Sequence, residues 1–97
     1  MNKAIGILGL AARARKIATG EIVLKKLRSN QVYLIILADD MGENGKKKLT
    51  DKCLYYHVPY VYMNSDELNM AIGDKNRKSV AILDRGFAQK LHACLKG

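Results

Sequence analysis

The sequence predicts an α/β protein, a three-layer α/β/α sandwich built on a four-stranded mixed sheet. Two apolar runs, VYLIILA at Val32–Ala38 and SVAIL at Ser79–Leu83, read as strands buried on both faces. Around them lie segments whose apolar residues recur at three- and four-residue spacing, the period of an amphipathic helix. Helices that alternate with doubly buried strands have to cover both faces of a sheet.

Ala4, Ile5, Leu8, Ala11 and Ala12 give a first helix over residues 3–15. Lys16–Ala18 supplies a brief edge strand. Thr19 or Gly20 then caps a second helix, which carries Val23, Leu24 and Leu27 on its apolar face and ends near Ser29 and Asn30. After VYLIILA, the stretch DDMGEN turns the chain. Glu43 or Asn44 opens a third helix to about Tyr56, with Leu49, Cys53 and Tyr56 on one face. Lys46, Lys47 and Lys48 crowd its first turn against the helix dipole, and such a broken local rule often marks function.

Pro59 starts the strand PYVYM, where its missing N–H is tolerated. Ser65 caps a fourth helix with Asp66 and Glu67 in its first turn, and Gly73 closes it. Residues 74–78 form a polar, basic loop before SVAIL, and a last helix runs from about Arg85 to Leu95. Without a repeat, linker or low-complexity segment, the 97 residues read as a single domain.

A hydrophobic content of 48% supports a core and argues against disorder. No apolar run approaches the roughly 20 residues that span a bilayer. MNKAIGILGLAARARK superficially resembles a secretory signal, but its apolar stretch is short, broken by glycine and followed by basic residues, so it reads as the first helix. Cytoplasmic residence without membrane association is therefore expected. Cys53 and Cys94 lack C-x-x-C spacing and read as reduced core thiols. His57 and His92 lack metal-ligand spacing and fit helix C-terminal turns, so neither a metal nor a cofactor is expected.

Charge is more informative. Seventeen Lys and Arg against nine Asp and Glu give a net charge of +8, which points first to a polyanionic partner. The cations cluster as Arg13-Arg15-Lys16, Lys25-Lys26-Arg28, Lys46-Lys47-Lys48-Lys52 and Lys75-Arg77-Lys78. Clustering suits nucleic acid, because each neutralised phosphate releases counterions.

Catalytic motifs fail on inspection. Gly42-Glu43-Asn44-Gly45-Lys46-Lys47 is not a P-loop: two residues separate its glycines instead of four, and Lys47 occupies the hydroxyl position. Asp39 and Asp40 follow a strand, but turn and capping roles explain them more simply than magnesium or phosphate chemistry. No Ser-His-Asp or Cys-His set has a recognisable setting, so no enzymatic activity is expected. Tyr55, Tyr56, Tyr60 and Tyr62 fit a stacking platform for bases, yet Tyr60 and Tyr62 alternate with Val61 in a strand and packing is the better reading, as for Tyr33.

A larger pattern then emerges: a basic segment, a glycine and a helix ending KKL; a strand ending LADD; a helix followed by VPYVYMNSDEL; then AIG, a loop and SVAIL. In that order these resemble the kink-turn-binding ribosomal protein superfamily of the archaeal and eukaryotic large-subunit type. LGLAARARK, KKLTDKC, VPYVY and LDRGFA bring the likeness closest to its small bacterial YlxQ-type branch, over about residues 6–90. The resemblance implies binding of structured RNA, ribosomal or otherwise kinked, by a monomer that does no chemistry and works with the ribosome or a translation factor. In that superfamily a G-x-N-E segment at the start of the second helix reads sheared G·A pairs. Aligned without gaps, Thr19 takes the glycine's place, Gly20 the free position, Glu21 that of the asparagine, Ile22 that of the glutamate and Lys25 that of a following lysine.

A carboxylate at Glu21 accepts from guanine N1 or N2 but cannot donate as an amide does, and Ile22 does neither. The expected selectivity for kink-turns is correspondingly weakened. The expected interface comprises Thr19, Gly20 and Glu21 with Lys16, Lys25, Lys26, Arg77 and Lys78 at one end of the sandwich, extended by Lys46, Lys47 and Lys48. A protein-interaction module docking on an acidic translation or transcription factor through the same face is the alternative from another functional class.

Overall fold

The computed structural model describes residues 3–96. Five helices, α1 (Lys3–Arg13), α2 (Ile22–Arg28), α3 (Glu43–Tyr55), α4 (Ser65–Ile72) and α5 (Arg85–Leu95), alternate with four strands. The strands β1 (Ile17–Ala18), β2 (Leu34–Ala38), β3 (Tyr60–Met63) and β4 (Ser79–Ile82) form one mixed sheet in the order β1-β4-β2-β3. β3 runs parallel to β2, whereas β4 runs antiparallel to both β2 and β1. This is the expected three-layer sandwich.

The period of two in β2 divides the core. Leu34 and Ile36 join Val61, Met63, Val80 and Ile82 beneath α1, α4 and α5, through Ala4, Leu8, Leu68, Ala88 and Leu91. Ile35 and Leu37 face the other way, with Ala81, onto Val23 and Leu27 of α2 and Cys53 of α3. Every residue of β2 is 0% exposed, as a strand covered on both faces requires.

Element boundaries shift where the backbone turns left-handed. The first helix stops at Arg13, short of residue 15, because Arg15 takes φ +58. Asn30 (φ +56) follows α2, His57 (φ +58) follows α3 and Gly73 (φ +71) follows α4. At all four, the next N–H reaches back across the turn: Lys16 to the Ala11 carbonyl, Gln31 to Lys26, Val58 to Cys53 and Asp74 to Asn69. This is the glycine-type helix stop, used three times without glycine. It places His57 beyond its helix, while His92 does lie in the last turn of α5.

The second strand begins at Leu34 instead of Val32, since Tyr33 is still emerging from the turn at Asn30, though its N–H already reaches the Ile82 carbonyl. Pro59 stands just ahead of β3 and accepts from the Ile35 N–H, and α3 ends one residue before Tyr56. Asn64 caps α4 in place of Ser65, its side chain accepting from the Glu67 N–H. Neither Thr19 nor Gly20 caps α2: Glu21 is the cap residue, in helical backbone, and its side chain makes no capping bond. Leu24, expected on the apolar face of α2, is 38% exposed. Cys53 is buried, and desolvation pushes its thiol up to about 11, but Cys94 is exposed and not a core thiol.

Asn69 is the one buried polar side chain among the described residues. Its amide nitrogen donates to the carbonyls of Ser65 (2.9 Å) and Arg77 (3.0 Å), and its oxygen accepts the Arg77 N–H (2.8 Å). Asn69→Ala leaves the backbone of Arg77 without these partners and should lower stability by about 2–3 kcal/mol in urea denaturation. His57→Gly should act in the opposite direction, raising stability by about 1 kcal/mol by relieving a left-handed Cβ.

Candidate nucleic-acid interface

Strand direction gathers the interface. β1, β2 and β3 end, and β4 begins, at the same end of the sheet, where Ala18 lies opposite Ala81 and Leu37 lies opposite both Tyr62 and Ser79. The start of α2, the turn after β2, the start of α4 and the loop before β4 therefore emerge side by side.

Gly20 makes the turn into α2 at φ +66, with its carbonyl accepting from the Val23 N–H at 3.2 Å. A Cβ at this position would stand 3.0 Å from Nη1 of Arg77, so helix start and loop are in close approach. Glu21 is exposed beside them, and Ile22, with 54% exposure, stands out from the first position of the helix. Thr19 is half-buried.

The cations of this end have acidic or carbonyl neighbours. Arg77 Nε pairs with Asp74 Oδ2 at 2.9 Å, and Lys78 Nζ reaches both oxygens of Asp40 at 3.0 and 3.1 Å, besides Ser65 Oγ at 3.3 Å. The hydrogen bond from Lys78 holds the Asp40 carboxyl below its ordinary value of 3.8. Asp74 is lowered as well, first by the Lys75 backbone N–H and then by Arg77.

Because α3 begins at Glu43, only Lys46 of the lysine triplet lies in its first turn. Its ammonium donates to the Asp39 carbonyl at 3.2 Å and stands 5.5 Å from the ring centroid of Tyr62, which eases the conflict with the helix dipole. Tyr62 is 43% exposed and meets Tyr60 edge-to-face, centroids 6.1 Å apart. Between α2 and α3 runs a groove of about 610 Å³ bordered by Gly20, Val23, Leu24, Met41, Leu49 and Lys48.

Not every expected residue meets here. Lys25 is exposed one turn into α2, and Lys47 is exposed on α3. Lys26 lies in the last turn of α2 and donates to Gln31 Oε1 at 3.1 Å, away from the helix start. Lys16 sits at the other end of the sheet: its carbonyl accepts from the Leu83 N–H, one step beyond the Ile17–Ile82 pair. The exposed Leu24 was not expected at this surface; helical periodicity counts apolar residues without showing which of them the rest of the fold covers. The Asp40–Lys78 pair joins positions 38 residues apart and left no local signal.

The family model for the ribosomal protein L7Ae/L30e/S12e/Gadd45 family matches residues 3–92. The chain belongs to that family. Among curated relatives, the RNA-binding protein YlxQ of Bacillus subtilis (strain 168) is 46% identical over 91 residues, covering 92% of this chain and 91% of its own. The RNA-binding protein YlxQ of Enterococcus faecium is 40% identical over 98 aligned positions, covering 99% and 94%. A protein of unknown function from Bacillus halodurans C superposes with a TM-score of 0.94 at 42% identity, over the whole of both chains. The Giardia lamblia 15.5kD RNA binding protein shares the fold, with a TM-score of 0.73 at 21% identity over 94% of this chain and 86% of its own. The family resemblance and the α/β architecture expected from the sequence are both borne out.

Gly20→Ala should lower stability by about 1–2 kcal/mol, through the left-handed backbone and the crowded Arg77 tip, as read by thermal unfolding. The lowered pKa of Asp40 contributes stability that is present above its unfolded value and lost as pH falls through the folded one. Urea midpoints measured at pH 5 and pH 3 should therefore differ less in Asp40→Asn than in the parent.

Proposed function

We propose that the chain is a non-catalytic, cytoplasmic, monomeric single-domain binder of structured RNA, ribosomal RNA or another kinked RNA, working with the ribosome or a translation factor. The observation that carries this reading is the convergence of the α2 start, the 74–78 loop and the first turn of α3 at one end of the sheet, in a chain whose family relatives are named as RNA-binding proteins. Charge agrees: at +8, phosphate neutralisation supplies affinity without sequence information.

Glu21 is the base reader in this proposal. Its carboxylate is exposed and uncommitted to capping, so it is available to accept from a guanine N–H. Ile22 offers an apolar contact where the family carries a second polar reader, which supports weak selectivity for kink-turns. Lys25 contacts phosphate one turn on, and Arg77, Lys78 and Lys46 exchange their carboxylate or carbonyl neighbours for phosphate oxygens. Thr19 and Gly20 set the helix start, and Lys47 and Lys48 extend the field along α3.

Electrophoretic-shift titration at two salt concentrations tests this. Glu21→Ala should reduce the preference for a kink-turn with G·A pairs over one without by about tenfold. Lys25→Ala should weaken both RNAs alike and lower the salt slope by about one. Equal effects of Glu21→Ala on both RNAs would remove its role as a reader. Absence of RNA binding even at low salt, with capture of an acidic translation or transcription factor instead, would replace the proposal by the protein-docking alternative.

A further inference from the structure

The opposite end of the sheet, where β2 and β3 begin, carries a second cleft. It encloses about 330 Å³, within the range of small-ligand sites, between α5 and the residues that lead into the two strands. Tyr33 and Pro59 form one wall; Arg85, Gln89, His92 and Lys96 supply the polar groups, and no Asp or Glu lines it. Arg85 lies over the Tyr33 ring, with its guanidinium carbon 5.5 Å from the centroid, and the ring itself is 39% exposed. The ion pairs among the described residues, Arg77–Asp74 and Lys78–Asp40, both lie at the other end, so Arg85 and Lys96 bring their charge to the cleft without a carboxylate partner. Lys16 stands at this end too, opposite Leu83, and Arg13 ends the helix that leads to it.

We propose that this cleft is a second RNA subsite that takes one unpaired nucleotide, the base against Tyr33 and Arg85 and its phosphate on Arg85 and Lys96. An aromatic ring beside cations and an amide, with no Asp or Glu among the described lining residues, matches a nucleotide's combination of planar face, polar edge and anionic phosphate. The side chain of Gln89 supplies both a donor and an acceptor for the base edge. The subsite rests on the RNA-binding reading for its class of ligand, but uses none of the residues at the α2 end. With extents of 33 × 27 × 25 Å, the molecule would then hold a folded RNA at one end and a single strand at the other.

Titrating the ¹⁵N-labelled chain with hexauridylate separates the two ends in one spectrum. The amides of Tyr33, Gln89, His92 and Ala93 should shift. The double variant Arg85→Ala, Lys96→Ala should weaken that response about tenfold, as should Tyr33→Leu, while a structured RNA still shifts Gly20, Glu21 and Ile22 as in the parent. Hexauridylate that leaves the cleft amides unmoved at about 50 mM salt would overturn the subsite, and so would hexaglutamate shifting them as strongly. Failure of the RNA-binding reading itself is seen separately, as a structured RNA that leaves the α2 end unmoved.

Discussion

Strand β2 has to hide both of its faces, and the placement of everything else follows from that. Leu34 to Ala38 are wholly buried between one set of helices and the other, so the central strand offers no surface to a ligand. Polar and charged groups are left to the two ends of the sheet and the outer helix surfaces. The parallel pairing of β2 with β3 and the antiparallel entry of β4 then decide which loops share an end. In a fold of this kind the exposed and variable positions are the loops and helix starts, carried on a largely buried sheet.

Asn69 connects this frame to the loop before β4. Its three hydrogen bonds fasten the backbone of Arg77 to α4, so the guanidinium is delivered to Gly20 from a fixed point. Position 20 suits glycine on two counts, the backbone angle and the approach of Arg77. The side chains at the tip are less constrained: Asp74 and Asp40 hold Arg77 and Lys78 through exposed pairs, which are weak.

Most of the architecture was legible in the sequence because hydrophobic period and burial are local. The cores of VYLIILA and SVAIL, Leu34–Ala38 and Ser79–Ile82, read as strands and are strands, and Ala4, Leu8 and Ala11 share a buried helix face. Helix ends were less legible: Arg15, Asn30 and His57 take the left-handed turn that the sequence marks clearly only at Gly73. Of the expected interface, Thr19, Gly20, Glu21, Arg77, Lys78 and Lys46 do lie at one end of the sheet. Lys16 and Lys26 do not, because clustering along the chain says nothing about which end of a two-residue strand or short helix a lysine occupies. The sidedness of Leu24, and the pairing of Asp40 with Lys78, depend on contacts between distant segments.

The two cysteines differ in a way that makes the chain its own stopwatch. Cys94 lies in the open on α5, whereas Cys53 is sealed beneath α3 with its thiol held protonated. A thiol reagent meets the first at once and the second only when α3 lifts from the sheet, since the thiolate is the species that reacts. The ratio of the two labelling rates is thus a direct measure of how often the α2–α3 layer opens. The same layer carries the exposed Ile22 and the lysines of α3, so a bound partner that clamps it would slow the second reaction and leave the first untouched.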